Sequence, residues 1–371
     1  MRRLALALAL CGALPAHASA RVEGSGSASG RLTPAAVAAG LTDAQLAGQR
    51  VLFAYAGRRA PAALVRRIRR GEAAGVIIFS RNVGTAAALR REMRRLQRIP
   101  RPPGLDVPLI VAVDQEGGPV RRIPGGPRRS AAEIGRTGDT ARARAAGLEA
   151  GRLLRRSGAN VDLAPVLDVA RPGSAIERER RAFGRSPVGV ARMGVAFAGG
   201  LRAAGVAATA KHYPGFGAAP ANTDFAKVRL RLSRREIRRV DEVPFRAAIR
   251  DRIGLVMLST AVYPALDRRP AALSLRIATT RLRADLGFRG VSVTDALGTP
   301  ALEGHGDLGE RGVRAALAGV DLLLYGGGYP AGARAARSVT AAHRSRRLSP
   351  ARSRVSVARI LRLRASLGRR G

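Results

Sequence analysis

The chain has 371 residues, 46% of them hydrophobic, enough to bury a core in one large α/β domain or two ordinary ones. Its net charge is +40, yet 64 basic residues are arginine and only Lys211 and Lys227 are lysine, spread through every segment rather than gathered into one aromatic-laced stripe. With no nucleic-acid motif beside them, these arginines argue against a nucleic-acid partner; a bias in composition accounts for them without any binding role, and an anionic cell envelope is the functional partner that best suits the charge.

Residues 1–20 read as an export signal: Arg2 and Arg3, an apolar run over 4–14, and the small residues of Ala16-His17-Ala18 or Ala18-Ser19-Ala20. The run is too short to span a bilayer as a helix, so no transmembrane segment is expected after cleavage. Cys11, the only cysteine, lies inside it, and Leu10 stands where a lipid-attachment signal favours a small residue. The mature chain would carry +38 and no thiol, so stability must come from a core rather than from disulfides. Residues 21–40, rich in Gly, Ser and Ala, read as a flexible leader.

From residue 42 onward, short apolar runs at 51–56, 75–79, 108–113, 161–166, 206–210, 255–258, 290–293 and 320–325 alternate with helical patterns. The helical patterns include 62–70, 85–97, 140–157, 187–204, 233–250 and 274–286. Eight β runs with helical intervals predict a single-domain (β/α)8 TIM-type barrel over 41–335; an open doubly wound sheet also fits the pattern, but the count favours closure. The basic tail 336–371 is expected to be helical and to dock on the barrel through Val355, Val357, Ile360 and Leu361.

Chemistry gathers at the strand ends. Asp114-Gln115-Glu116-Gly117-Gly118 follows the third run, Asp168 the fourth, Lys211-His212 the fifth, Ser259-Thr260 the sixth and Thr294-Asp295 the seventh. Each alone could be a helix cap or turn. Five at equivalent ends would ring one polar pocket on the active face of a barrel, suited to a ligand rich in hydroxyls. Glycoside hydrolysis needs one carboxylate at the sugar centre and a second group for the leaving-group proton, and Asp295 and Asp114 are candidate carboxylates. Lys211 and His212 could bind sugar hydroxyls, and Lys211 could keep a neighbouring carboxylate ionised. The histidines left after cleavage, His212, His305 and His343, have no ligand-like spacing, so no metal or other cofactor is expected. Gly326-Gly327-Gly328 after the eighth run is a weak phosphate-loop candidate and reads more simply as a flexible loop.

These motifs resemble the N-terminal barrel of glycoside hydrolase family 3, in particular its bacterial β-N-acetylhexosaminidase branch, over most of the chain from Leu41 to Ala335. The resemblance makes Asp114, Arg122, Arg181, Lys211 and His212 substrate contacts and Asp295 the nucleophile. It is carried by Asp114 to Gly118, Ala164-Pro165-Val166-Leu167-Asp168-Val169, Arg181-Ala182-Phe183-Gly184, Lys211-His212-Tyr213-Pro214-Gly215, the segment 256–264, and Thr294-Asp295-Ala296-Leu297. It implies a carbohydrate substrate, with peptidoglycan or chitin fragments suited to an exported protein, and a monomer.

The chain also departs from the family. Where those hexosaminidases carry an Asp-Ser-His signature, with the His as acid/base, this sequence has Asn222-Thr223-Asp224. Ala296 replaces a second acid, Pro119 interrupts the sugar loop, and the segment 173–177 lacks the usual Asn-Pro. One reading keeps an enzyme, with Asp224 as acid/base oriented by Asn222, or with Glu177 or Glu179 as an alternative proton donor. The other makes the protein a sugar-binding relative without turnover.

Overall fold

The computed structural model describes residues 32–368, so the export signal and the leader up to residue 31 lie outside the described residues. Eight strands alternate with helices: β1 Val51–Phe53, β2 Gly75–Ile78, β3 Ile110–Val113, β4 Val161–Asp162, β5 Ala207–Tyr213, β6 Leu255–Leu258, β7 Val291–Thr294 and β8 Leu323–Tyr325. Consecutive strands pair in parallel from β1 to β7, and β8 pairs with β1. The ring closes between β7 and β8, where the Thr294 N–H donates to Leu322 O at 3.0 Å and the Leu322 N–H to Ser292 O at 2.9 Å. The sheet is therefore a barrel and not an open doubly wound sheet. Helices on its outside and residues in its lumen bury both faces, which explains why the strands read as unbroken apolar runs.

Side-chain alternation sorts the strand residues into two cores. Val51, Phe53, Val76, Ile78, Val111 and Val113 face the surrounding helices, among them Ala62–Arg69, Ala86–Gln97 and Thr140–Arg156. Leu52, Ala54, Ile77, Ala112, Leu163, Met257, Val293 and Leu324 fill the lumen. The uppermost apolar layer is Ile77, Leu163, Met257 and Leu324, one from or directly after each even-numbered strand, and it forms the floor of the cavity described below. The odd-numbered strands supply the next layer, and at that level β3, β5 and β7 deliver Asp114, Lys211 and Asp295.

The opposite mouth is plugged by the final helix Pro350–Gly368, whose Ile360 and Leu367 join the lumen cluster. Val355 does not belong to its buried face as expected: it is 53% exposed. The face is completed instead by Ser353, Ser356 and Arg364, of which Ser353 and Arg364 find partners below the barrel. Arg50 Nη1 donates to Ser353 Oγ at 2.8 Å, and the buried Arg364 donates to the carbonyls of Leu105, Val107 and Pro108 and to Gln49 Oε1. Two boundaries also move. Residues Pro34–Ala39, expected within the leader, form a helix capped by Thr33, and its Val37 and Ala38 pack against Val357 and Leu361. The division drawn at 335/336 falls inside the continuous helix Tyr329–Arg344. No helix among the described residues is long and apolar enough to cross a membrane.

Candidate active site

A cavity of about 420 Å³ opens at the C-terminal end of the barrel. The eight residues expected to be catalytic, substrate-binding or orienting groups all line it: Asp114, Arg122, Arg181, Lys211, His212, Asn222, Asp224 and Asp295. Both Lys211 and His212 reach it although they are neighbours on one strand. Between Ala210↔Val256 and Tyr213↔Leu258, β5 advances three residues while β6 advances two. That extra residue is a bulge, which re-aims the side chains that follow it. The turn beyond is built on glycines: Gly215 has φ +131°, and a Cβ at Gly217 would lie 1.9 Å from Val169 O.

Lys211 is buried, with Nζ 2.7 Å from both Asp114 Oδ1 and Glu116 Oε1. Arg181 grips Glu116 in fork geometry, Nε to Oε2 and Nη2 to Oε1, each at 2.9 Å. Arg181 and Lys211 hold the buried Glu116 carboxyl well below its ordinary range, overcoming the opposing effect of desolvation. Burial acts against the charge of Lys211 too, but Asp114 and Glu116 outweigh it and raise its pKa. Arg122 is more loosely held, its Nε 3.8 Å from Asp114 Oδ2 with no hydrogen-bond partner. Glu116 did not emerge from sequence reasoning as a site residue. The signal available was its place two residues after Asp114, on the same side of an extended segment.

His212 is fixed from behind. The fully buried Asp168 accepts the backbone N–H of His212 at 3.1 Å and that of Phe216 at 2.7 Å on Oδ1, while Oδ2 lies 2.7 Å from His212 Nδ1. A carboxylate can only accept, so Nδ1 carries the proton and Nε2 is left for a ligand. Asp168, at the end of the fourth run, thus stands beneath the cavity and not in its wall. Beside the Asp114–Glu116–Lys211 group lies Asp162, whose Oδ1 accepts the Gln115 N–H at 3.0 Å while its buried Oδ2 has no partner. Desolvation, reinforced by Asp114 and Glu116, pushes the Asp162 carboxyl up to about 8.

The second wall is the segment from Asn222 to Asp224. Asn222 Oδ1 accepts the Asp224 N–H at 2.9 Å, and its Nδ2 donates to Glu179 Oε1 at 3.1 Å; Glu179 Oε2 in turn accepts Arg181 Nη1 at 2.9 Å. A relay of polar contacts therefore ties the Asp224 turn to the Arg181–Glu116–Lys211 group. Solvent reaches Asp224, yet the cavity walls remove enough of its hydration to raise its pKa. The negative charge of Asp295 adds to the rise, and His212 and Arg181 oppose it. Asp295 itself is half-buried at the end of β7, with Oδ1 held by the Ala296 N–H at 2.8 Å. Glu177 lies outside the cavity: it accepts the Gly173 N–H at 2.8 Å and pairs with Arg185. Among the described residues no group of three or more His, Cys, Asp or Glu side chains could hold a metal ion.

Residues 44–363 match the model of the glycosyl hydrolase family 3 N-terminal domain. The chain belongs to glycosyl hydrolase family 3. This family 3 chain is 43% identical over 287 residues to an uncharacterized secreted glycosyl hydrolase of Arthroderma benhamiae, covering 76% of this chain and 81% of that one. It is 34% identical over 258 residues to a beta-hexosaminidase of Nitrosomonas eutropha, covering 67% and 72%. Among solved structures it is similar to a family 3 β-N-acetylglucosaminidase from Paenibacillus sp. str. FPU-7, with a TM-score of 0.83 and 34% identity over 88% of this chain. The match spans 63% of the Paenibacillus chain, less than two thirds of its length.

Proposed function

We propose that the protein is an exported retaining glycosidase acting on β-linked N-acetylhexosaminides such as peptidoglycan or chitin fragments. Asp295 is its nucleophile and Asp224 its acid/base. The observation that carries this reading is the placement of two carboxyls, Asp224 and Asp295, in one cavity, where partial burial and the charge of Asp295 raise the pKa of Asp224. A protonated Asp224 can give its proton to the glycosidic oxygen while ionised Asp295 attacks the anomeric carbon. In the second step Asp224 takes a proton from the water that frees the sugar. Asp114, Lys211, His212, Arg181 and Arg122 supply donors and acceptors for the ring hydroxyls. The N-acetylhexosaminide preference rests on the Nitrosomonas and Paenibacillus relatives, and export on residues 1–20 together with the secreted Arthroderma relative.

The test is hydrolysis of an aryl N-acetyl-β-glucosaminide, expected to proceed in the wild type and to vanish in Asp295→Ala. Sugar binding without turnover would replace this proposal with the second reading, a glycan-binding relative. The solvent-reached Asp224, standing where the related hexosaminidases carry an imidazole, favours that alternative. The charge of +40 further suggests adsorption to an anionic envelope polymer; retention there should weaken as salt rises, and salt-independent retention counts against it.

A further inference from the structure

A second cavity, of about 560 Å³, is larger than the one that holds Asp224 and Asp295 and differs from it in character. Its interior is apolar: Ala170, Ala182, Phe183, Val190 and Met193 line it, and all five are buried members of the core outside the barrel lumen. Its charged lining residues are Arg136, Arg180, Arg185, Arg192 and Glu177. The four arginines are exposed, which places their charges at the mouth. One segment serves both cavities. Glu179 and Arg181 line the active site, whereas Glu177, Arg180 and Ala182 line the second cavity.

The charges at this mouth do not balance. Glu177 is the only carboxylate in the lining and is fully engaged: Oε1 lies 2.6 Å from Arg185 Nη2, and Oε2 accepts the Gly173 N–H at 2.8 Å. Arg180 pairs at 3.0 Å with Glu133, which lies outside the lining. Arg136, at the end of the helix Ala131–Gly135, and Arg192, on the helix Pro187–Ala203, have no ion-pair or hydrogen-bond partner for their guanidinium groups among the described residues. Arginine is common throughout this chain, so its presence at the mouth decides nothing alone. The apolar hollow beneath the two free cations is what points to a ligand. Cavities of about 300–1,000 Å³ suit small molecules, with a few polar groups around an apolar interior fixing their orientation. A carboxylate fits the free arginines, because the two paired ones are already satisfied by carboxylates.

We propose that this cavity is a binding site, distinct from the active site, for a small amphipathic carboxylate. The apolar body of the ligand lies against Phe183, Val190 and Met193, and its carboxylate engages Arg136 and Arg192 at the mouth. The inference stands apart from the glycosidase reading, since neither arginine belongs to the catalytic or sugar-binding group. A free organic acid and a short acidic peptide share this chemistry, and the experiment tells them apart.

The experiment is calorimetric titration of the full chain with 3-phenylpropanoate and with N-acetyl-phenylalanyl-glutamate. Acetate, which lacks the apolar body, and 3-phenylpropanamide, which lacks the charge, are the controls. The expected result is saturable binding of at least one of the two acids, tighter than that of either control. In the double variant Arg136→Gln, Arg192→Gln that affinity should fall about three- to thirtyfold, the loss of two exposed ion pairs. Both arginines are exposed, so the variant should fold as the wild type does. Tighter binding of the phenylpropanoate sustains the site and assigns it to a free organic acid; tighter binding of the dipeptide sustains it and assigns it to an acidic peptide. No saturable binding of either acid, equal binding of the amide, or an affinity changed less than about twofold in the double variant overturns the proposal. None of these outcomes depends on whether the protein turns over a glycoside.

Discussion

Glu116→Gln tests the electrostatic core of the site. In the wild type the Glu116 carboxylate receives three charge-assisted contacts, one from Lys211 at 2.7 Å and two from Arg181 at 2.9 Å. An amide of the same shape keeps one acceptor oxygen but turns an NH₂ toward a cation, leaving buried positive charge without compensation. Breaking one side of such a buried group costs about 3–5 kcal/mol. With an unfolding entropy of about 2.1 cal/mol/K per residue over roughly 340 folded residues, the expected fall in Tm is about 4–7 °C. The pH dependence has a definite sign. The folded pKa of Glu116 lies below its ordinary value of 4.5, so its contribution is complete above that value and is lost as pH falls through the folded pKa. The stability gap between wild type and variant should therefore narrow as the solution is acidified below the ordinary glutamate range. A second consequence reaches Asp224, whose pKa Arg181 already lowers: with Glu116 neutral, that cation acts more strongly and the alkaline limb of the activity profile should move to lower pH. Scanning calorimetry and kcat/KM against pH measure the two effects. A Tm within 1 °C of wild type, or an alkaline limb displaced upward, would refute the reasoning.

Further perturbations separate the roles of the remaining groups. Asp224→Ala should lose on the order of 10²–10⁴ in kcat on natural glycosides and far less on aryl glycosides with acidic leaving groups; equal losses in a leaving-group series would contradict an acid role. Asp168→Asn removes the carboxylate that fixes the His212 ring and should cost about 10–100-fold in kcat/KM, with the double variant carrying His212→Ala no worse than His212→Ala alone; additive losses would show that the two act separately. Asp162→Asn should raise stability at neutral pH. The folded pKa of about 8 against an ordinary 3.8 means that wild-type stability is full below about 4 and declines as pH rises toward 8; the variant should flatten that slope, as urea titrations at pH 4 and pH 7.5 can record.

Much of this architecture was legible in the sequence. The eight apolar runs became the eight strands because a barrel strand buried on both faces is mostly apolar, and polar groups one step past the apolar layer had to surround a common cavity. What escaped detection depended on partners distant in the chain. Glu116 becomes a buried anion only because Arg181 and Lys211 converge on it from other strand ends. Ser353 and Arg364 replace Val355 on the buried face of the last helix because Arg50 and three loop carbonyls wait beneath the barrel, and a rule that buries only apolar residues does not find such a face. The short helix at 34–39 carried a legible signal, Thr33 before Pro34, which the surrounding glycine- and serine-rich composition concealed.

The plug at the base of the barrel bears on when this chain can fold. Arg364 closes on Gln49 across 315 residues of sequence, and the first and last strands must pair before the ring exists. Such long-range closure makes folding slow and leaves no complete lumen until the final helix has been synthesised. A nascent chain of this kind stays threadable for most of its synthesis, which suits passage through a translocation pore in the unfolded state. It also means that removing the final helix should yield an aggregation-prone chain rather than a smaller enzyme.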